Sequence, residues 1–250
     1  MKHIILTGAS RGIGKSIVKN CSSDSCIFHL ISRSNLEKIK KRFEKNVNKI
    51  YTYNFDLSQT NLIDKLMNDI FKNIHDTEFI ALINNAATIN PIGPIGKVGD
   101  SKLDNQIKVD LIAPIILSNQ FIKRTKDLNI TKRIINITSG ASHDPYYGWG
   151  GYCASKAGMD MFTKIIAMEQ SEQYNNEGVE ILGLAPGIVD TKMQEKIRKQ
   201  PKENFIYVGK FIEYFKSGVL RNSDEVAKKI IDLLFLDFFP DGEILDITEI

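Results

Sequence analysis

The chain has 250 residues, of which 42% are apolar and 25% are charged, and its formal net charge is +3 at pH 7. This composition predicts a globular protein with a substantial core, and the small charge gives no reason to expect nucleic-acid binding. No apolar run approaches the roughly 20 residues that cross a bilayer, so we expect no membrane contact. The three cysteines and four histidines are scattered. We therefore expect no metal site and reduced thiols in a cytoplasmic protein without a signal peptide.

A short apolar strand over residues 3–6 leads directly into a glycine-rich turn and then a helix. The turn reads Thr7-Gly8-Ala9-Ser10-Arg11-Gly12-Ile13-Gly14. A strand, a glycine-rich turn and a helix together direct backbone N–H groups and a helix N-terminus at a phosphate. The spacing Gly-x-x-x-Gly-x-Gly differs from the Gly-x-Gly-x-x-Gly fingerprint. We favour nucleotide binding over the alternative, a turn without a ligand.

The second predicted strand covers residues 26–32, and Arg33 follows it. In a dinucleotide-binding fold the adenosine ribose lies at this strand end, where an acid accepts the 2′-hydroxyl of NAD and an arginine accommodates the 2′-phosphate of NADP. No acid occurs over residues 32–34, so the charge favours NADP. Arg33 as a solvated helix-end residue remains the alternative. Ser34 and Glu37 have capping-box spacing, which predicts that Ser34 caps the next helix.

The rest of the chain alternates strands and helices. We predict strands over 49–55, 78–83, 133–138, 179–184 and 243–247, and helices over 61–74, 103–124 and 153–170, with a last helix capped by Ser223. Repeated strand–helix units predict an α/β, Rossmann-like doubly wound parallel sheet of about seven strands, flanked by helices on both faces, in a single domain over 1–250. Ligands bind beyond the carboxyl ends of such strands, where Gly8, Arg33, Asp56, Asn84, Ser139 and Pro186 all fall.

Tyr152 and Lys156 are four residues apart at the start of a predicted helix, so their side chains share one face. An ammonium within reach of a phenol lowers the pKa of the phenol, which makes Tyr152 a candidate proton donor and acceptor. Ser139, at the end of the preceding strand, could bring a hydroxyl to the same point. A Tyr-x-x-x-Lys pair alone is more typical of an amphipathic helix with a solvated lysine than of a catalytic site. The strand-end residues are what favour chemistry here.

Taken together, these motifs resemble the short-chain dehydrogenase/reductase family over essentially the whole chain. The matching residues, in the family's order and spacing, are Thr7-Gly8-x-x-x-Gly12-x-Gly14, Asn84-Asn85-Ala86, Ser139, Tyr152-x-x-x-Lys156 and Pro186-Gly187. The resemblance implies that Tyr152 protonates a carbonyl oxygen as hydride arrives from NADP(H), that Ser139 polarises the carbonyl, and that Lys156 holds the nicotinamide ribose and lowers the tyrosine pKa. It also implies cofactor contacts from Gly8, Ser10, Arg11, Gly12, Ile13, Gly14, Arg33, Asp56, Leu57, Asn84, Ala86, Tyr152, Lys156, Pro186, Gly187, Val189 and Thr191.

Within the family, several short sequence segments are most similar to the sepiapterin reductase and benzil reductase subgroup. The matching segments are Gly148-Trp149-x-x-Tyr152-Cys153, Pro186-Gly187-x-x-Asp190-Thr191-x-Met193-Gln194 and Lys216-Ser217-Gly218-x-Leu220. One departure concerns catalysis: Asp110 stands where the family usually has an asparagine. If that residue's main-chain carbonyl holds the relay water, Asp110 can substitute; if the side-chain amide is needed, the proton relay is affected. Ala87 replaces a common glycine, a change we expect to be tolerated.

The long connection over residues 190–221 covers the substrate in this family. It carries eight Lys or Arg and four acids, with an apolar face formed by Phe205, Ile206, Tyr207, Phe211, Tyr214 and Phe215. A mobile lid and an ordinary amphipathic helix fit this pattern equally. We expect substrate contacts from Ser139, Tyr147, Trp149, Tyr152, Met193 and Asp246. By the sepiapterin reductase pattern, Asp246 would anchor the guanidine-like edge of a pterin, although an acid in an edge strand is also simply a solvated residue.

The sequence thus predicts an NADPH-dependent carbonyl reductase that acts on a ketone, a benzil-like diketone or a sepiapterin-like pterin. We expect a small-molecule carbonyl substrate and a homo-oligomer, a dimer or a tetramer, as the resemblance implies. The alternatives are a non-catalytic NADP(H)-binding sensor, which would not need to keep both Tyr152 and Lys156, and a structural oligomerising domain, which would not need Ser139.

Overall fold

A computed structural model describes residues 1–174 and 177–249, except for the side chain of residue 24. Within these residues, seven parallel strands form one sheet in the order β3-β2-β1-β4-β5-β6-β7. The strands are β1 (Lys2–Thr7), β2 (Ser23–Ser32), β3 (Val47–Asn54), β4 (Phe79–Asn84), β5 (Thr131–Ile137), β6 (Glu180–Ala185) and β7 (Ile244–Asp246). The predicted doubly wound sheet is confirmed, and its order reverses between β1 and β4, where such folds bind their ligands.

The helices connect these strands and cover both faces of the sheet. They are α1 (Gly12–Asn20), α2 (Glu37–Phe43), α3 (Ile63–Phe71), α4 (Asp100–Ile107), α5 (Ala113–Thr125), α6 (Gly150–Tyr174), α7 (Lys192–Arg198), α8 (Val208–Lys216) and α9 (Ser223–Leu234). A π-helical turn, Lys108–Ile112, joins α4 to α5. The predicted helix over 103–124 is therefore one helical stretch with a π turn inside it, a feature often found at functional sites.

Two layers of core side chains lie on opposite faces of the sheet. Helices α1, α2 and α9 pack on one face, where Ile4 and Leu6 of β1 point. Helices α3, α5 and α6 pack on the other, where Ile5 points. Successive strand side chains alternate between faces, and both faces are buried. This is why the strands read as continuous apolar runs in the sequence.

Two helix caps differ from the prediction. Helix α9 is capped by Asn222, whose Oδ1 accepts from the Asp224 amide at 2.8 Å, and Ser223 is already its first residue. The Glu37 amide at the start of α2 donates to Oδ1 of Asn35 at 2.8 Å, so Ser34 is not the capping residue. In both cases an asparagine two residues before the amide closes an Asx turn, which the serine-based patterns overlooked.

The described helices include none that is long and apolar enough to cross a membrane. Across the same residues, no group of three or more His, Cys, Asp or Glu side chains is placed to hold a metal ion. The three cysteines, Cys21, Cys26 and Cys153, are free.

Candidate active site

The turn between β1 and α1 is closed by hydrogen bonds to the strand next to it. The Thr7 hydroxyl accepts from the amides of Asn85 and Ala86, both at 2.9 Å, and the Asn85 side-chain amide donates to the Thr7 carbonyl at 2.8 Å. Gly8 has φ +71°, and a Cβ there would lie 2.9 Å from Cα of Ala86. A Cβ on Gly14 would lie 2.5 Å from the Gly8 carbonyl oxygen. Side chains at these positions would separate the turn from β4, so glycine is required for this close approach.

A cleft of about 310 Å³ lies at the carboxyl ends of the strands. Most of the residues predicted from the sequence line it: Gly8, Ser10, Arg11, Gly12, Ile13, Arg33, Asp56, Leu57, Ala86, Tyr152, Lys156, Pro186, Thr191 and Met193. The glycine-rich turn, the end of β2 and the start of α6 therefore border one continuous space, as the parallel sheet requires.

The remaining predicted residues do not line this cleft, namely Gly14, Asn84, Asp110, Ser139, Tyr147, Trp149, Gly187, Val189 and Asp246. Asn84 is buried in the interior, where its amide donates to Asn136 Oδ1 at 2.9 Å and to Ser118 Oγ at 3.2 Å. Asp246 accepts the Thr248 amide at 2.8 Å through Oδ1, a local turn contact. Val189 pairs with Arg221 in a short parallel bridge.

Tyr152 and Lys156 lie on the first turns of α6, which begins at Gly150, three residues earlier than predicted. Lys156 is 3% exposed, and its ammonium donates to the Ile137 carbonyl at the end of β5, at 2.7 Å. Its Nζ lies 5.7 Å from the centre of the Tyr152 ring. The Ser139 hydroxyl accepts the Ala141 amide at 3.2 Å and lies near enough to Tyr152 to lower the pKa of its phenol. The three side chains of the predicted catalytic group are thus brought together.

The protonation of Tyr152 differs from the expectation. Burial raises the pKa of the phenol well above its ordinary value, the Asp110 carboxylate raises it further, and only the Ser139 hydrogen bond lowers it. The net shift is therefore upward, opposite to the lowered phenol pKa that the spacing of Tyr152 and Lys156 predicts. Burial dominates because a phenolate in an apolar pocket loses its hydration, and the ammonium is directed at the Ile137 carbonyl. Burial also lowers the pKa of Lys156, against the opposing effect of Asp110 and Asp160.

Asp110 lies in the π-helical turn behind these residues and is 1% exposed. Its Oδ1 accepts the Thr88 amide at 2.7 Å, and Gln106 donates to the Thr88 carbonyl at 3.1 Å. Thr88 lines the cleft, so Asp110 holds a segment of the cleft wall. Burial raises the pKa of Asp110 to about 7, against the opposing effects of Lys156 and of the Thr88 hydrogen bond.

Arg33 borders the far end of the cleft, next to Asp56. Its Nη1 lies 3.9 Å from Asp56 Oδ2, and its side chain is 60% exposed. Asp56 Oδ1 accepts from the amide and the hydroxyl of Ser58, at 3.0 and 2.9 Å, which fixes the carboxylate. An exposed ion pair of this length is worth little. The guanidinium therefore remains available to an anion.

The connection over residues 190–221 packs against the start of α6 through aromatic rings. Phe205 stacks on Trp149, and Phe211 meets both rings edge-on. The predicted apolar face is only partly buried, because Ile206 and Phe215 are half-exposed. Trp149 is buried against Tyr152, whereas Tyr147 is 43% exposed at the surface. Of these two predicted substrate residues, Trp149 is the one whose ring contacts Tyr152.

Sequence reasoning overlooked several residues of this site. Thr88, Ile89, Asn105, Val109, Lys192 and Lys196 all line the cleft. Asp160 lies one helical turn beyond Lys156 on α6, is 5% exposed, and has His143 Nε2 at 3.5 Å from its Oδ2. Its spacing from Lys156, four residues on the same helix face, was a signal that could have found it. The loop residues carry no such periodic signal.

A parallel sheet of this order, with a tyrosine and a lysine facing a cleft bordered by a glycine-rich turn, is the architecture of a Rossmann-type oxidoreductase. The chain belongs to the short chain dehydrogenase family, because the model of that family matches residues 2–202. It is 37% identical to a benzil reductase ((S)-benzoin forming) from Bacillus cereus, over 100% of both chains. It is 27% identical to sepiapterin reductase from Mus musculus, over 97% of this chain and 95% of that one. The crystal structure of the KRED1-Pglu enzyme has the same fold, with a TM-score of 0.85 and 24% identity, over 98% and 100% of the chains.

Proposed function

We propose that this protein is an NADPH-dependent carbonyl reductase that acts on α-dicarbonyl compounds, with Tyr152 as the proton donor. The observation that carries the proposal is that Tyr152 and Lys156 line the same cleft as the glycine-rich turn and Arg33. The substrate class is supported by the identity of 37% to a benzil reductase along the whole chain. The pterin substrate of sepiapterin reductases is the second substrate to test, since that relative is 27% identical.

The residues at the glycine-rich turn fit a dinucleotide. Gly8 and Gly14 keep the backbone free of side chains where the turn meets β4, and the start of α1 borders the cleft. Backbone N–H groups at a helix N-terminus suit a pyrophosphate. Arg33 would hold the 2′-phosphate of NADPH, and no acid lies at the end of β2 to select NAD. Lys156 would hold the nicotinamide ribose. When bound, the cofactor supplies the hydride.

Side chains of the protein would then supply the proton to the substrate. The Tyr152 phenol donates its proton to the carbonyl oxygen, and the Ser139 hydroxyl orients the same oxygen through a hydrogen bond. The raised pKa of Tyr152 keeps the phenol protonated, which suits an acid in the direction of reduction. The Lys156 ammonium stabilises the phenolate that forms, because opposite charges attract strongly in a buried site. The aromatic cluster around Trp149 and Phe205 limits the access of water.

The experiment is to mix the protein with NADPH and either benzil or sepiapterin, and to follow the loss of NADPH absorbance. We expect turnover with the diketone and a lower rate with NADH in place of NADPH. Binding of NADPH without turnover of any carbonyl compound would contradict the proposal and favour a cofactor sensor.

The proposal includes a homo-oligomer, a dimer or a tetramer, and a cytoplasmic location. The exposed face of α6 supports the oligomer, because Met161, Ile165 and Met168 are 59%, 40% and 62% exposed at helical spacing. Light scattering would measure the assembly. The free thiols of the three described cysteines support a reducing compartment.

A further inference from the structure

Two buried acids accompany Lys156, which is itself buried and lines the cleft. Lys156 interacts electrostatically with both Asp110 and Asp160, and these three residues are 3%, 1% and 5% exposed. With all three ionised, the cluster would carry a net negative charge in the interior. Buried charge without a counter-charge is costly in free energy, so protonation of one of the two carboxyls is favoured.

The two acids have different surroundings. Burial raises the pKa of Asp160 as well, but four neighbours oppose it there, namely Ser142, His143, Thr138 and Lys156. Asp110 has only Lys156 and the Thr88 amide to favour ionisation, and burial outweighs both. Asp110 is therefore the carboxyl that takes the proton more readily.

The hydrogen bonds around Thr88 give a proton on Asp110 a structural effect, although both carboxyl oxygens of Asp160 also have no hydrogen-bond partner in the described structure. Asp110 and Gln106, four residues apart on one helical stretch, bind the amide and the carbonyl of Thr88 respectively. Their other oxygens, Asp110 Oδ2 and Gln106 Oε1, are buried and have no hydrogen-bond partner in the described structure. Both atoms are acceptors as they stand, and unpaired buried acceptors are destabilising. A proton on Asp110 Oδ2 turns one of these acceptors into a donor.

The charge state of Asp110 bears directly on Tyr152. A carboxylate at residue 110 raises the pKa of the phenol, because it opposes a second negative charge nearby. On α6, Lys156 acts on Asp110, and Asp160 acts in turn on Lys156. The loop against Asp110 contributes the uncharged Thr88. Proton transfer from Tyr152 leaves a phenolate, which a neutral residue 110 permits and a carboxylate resists.

We propose that Asp110 is a positioning residue that works in its protonated form. In that form it is uncharged and holds Thr88 in the wall of the cleft. Its deprotonation slows reduction because it places a negative charge near Tyr152. This inference rests on the proposed reductase function. It makes the reductase dependent on the protonation of a side chain that is an amide, and cannot titrate, in the usual family pattern.

Asp110→Asn is the matched variant, since its amide keeps an oxygen for Thr88 and replaces the carboxyl O–H with N–H donors. We expect the rate of the natural protein to fall toward a limiting slope of about tenfold per pH unit above the midpoint of Asp110. In Asp110→Asn this midpoint of the rate-against-pH profile should disappear or move up by at least about one pH unit. Asp104→Asn is the control, because Asp104 lies on the same helical stretch in an exposed ion pair with Lys108. Identical pH profiles for the natural protein and Asp110→Asn would overturn the inference.

A second readout does not depend on turnover. A protonated buried carboxyl gives a carbonyl stretching band in the infrared spectrum of the protein alone. We expect a band near neutral pH that is lost in Asp110→Asn, is kept in Asp104→Asn, and fades as pH rises. If the natural protein shows no such band at any pH, Asp110 stays ionised and the proposal is contradicted. Failure of the reductase proposal would instead appear as an absence of turnover with this band intact.

Discussion

Trp149 and Phe205 stack face to face, with ring centroids 4.7 Å apart and ring planes 8° from parallel. Trp149 also meets the ring of Tyr152 edge-on, with centroids 5.7 Å apart. Phe205 belongs to the connection between α7 and α8 and is fully buried. The segment over residues 190–221 is therefore anchored by packing to the start of α6, the helix that carries Tyr152.

Phe205→Ala should loosen this anchor. Loss of a buried phenylalanine costs about 3–5 kcal/mol, which we expect as a lower denaturant midpoint. The KM for a diketone should rise more than the KM for NADPH if the segment covers the substrate, as we propose. Ile206→Ala is the control, since Ile206 is next in the chain and 46% exposed. If both variants change stability and KM alike, the stack has no special role.

Arg33→Ala should weaken NADPH binding and leave NADH binding nearly unchanged, because only NADPH carries a 2′-phosphate. A hydrogen bond to a charged group contributes about 1.5–3 kcal/mol, equivalent to roughly a 10- to 150-fold change in Kd. Fluorescence titration with each cofactor measures it. Arg11, in the glycine-rich turn, could share the phosphate and reduce the effect.

Arg42→Ala is the control for this change, because Arg42 is an exposed residue of α2 outside the cleft lining. It should leave both affinities unaltered. Equal losses of NADPH and NADH in Arg33→Ala would show that Arg33 has a structural role at the end of β2.

A chain of hydrogen bonds crosses the sheet through side chains of β1, β2 and β3. His3 Nε2 faces the His75 carbonyl at 3.3 Å, His3 Nδ1 faces His29 Nε2 at 3.0 Å, and His29 Nδ1 faces the Tyr53 hydroxyl at 3.3 Å. A carbonyl can only accept, so His3 Nε2 carries a proton. The neutral tautomers then follow in one direction: His29 Nε2 donates to His3, and Tyr53 donates to His29. A further proton on either ring breaks the chain.

We expect acid to destabilise the protein through these histidines. Burial lowers the pKa of His29 to about 3 and lowers that of His3. The unfolded chain binds more protons below about pH 6.5, so stability is complete above that pH and is lost as pH falls toward 3. The loss for His29 should approach about 1.4 kcal/mol per pH unit within this window. Urea unfolding between neutral and mildly acidic pH measures it.

His29→Phe is the comparison for this prediction, because carboxylates also contribute to acid unfolding. The variant should show a shallower pH dependence, whatever its stability at neutral pH. An unchanged slope would mean that the histidine chain contributes nothing to the acid sensitivity.

We predict that Asp246 distinguishes pterin substrates from diketone substrates. Asp246→Asn keeps an oxygen for the Thr248 amide and removes the charge that would pair with the guanidine-like edge of a pterin. We expect a higher KM for sepiapterin and an unchanged KM for benzil, which has no N–H donors. The same change in KM with both substrates would mean that Asp246 only stabilises its local turn and does not select the substrate.

The sheet, its strand ends and most of the cleft could be predicted from the sequence, because they depend on local patterns. Apolar runs gave the strands, and glycine spacing gave the turn at Gly8 and Gly14. The cap at Asn222 was missed because Ser223 beside it is an equally common capping type. The exact wall of the cleft was missed because loop residues such as Thr88 are placed by long-range contacts with α4 and the π turn.

The protonation of the site could not be predicted from spacing at all. The Tyr-x-x-x-Lys pair predicted a lowered phenol pKa, whereas depth of burial and the neighbouring Asp110 raise it. Burial is a property of the assembled layers. It depends on Trp149 packing over Tyr152, a contact that no short motif encodes.

The central claim is that Tyr152 donates the proton in reduction, and Tyr152→Phe tests it most directly. The ring would still pack against Trp149 while the hydroxyl is lost, so NADPH affinity should stay close to that of the natural protein. Tyr146→Phe, in the same aromatic cluster but outside the cleft lining, is the control and should keep its activity. The decisive measurement is the rate of NADPH oxidation with benzil at saturating cofactor. We predict that turnover is nearly abolished in Tyr152→Phe, and full turnover in that variant would contradict the mechanism.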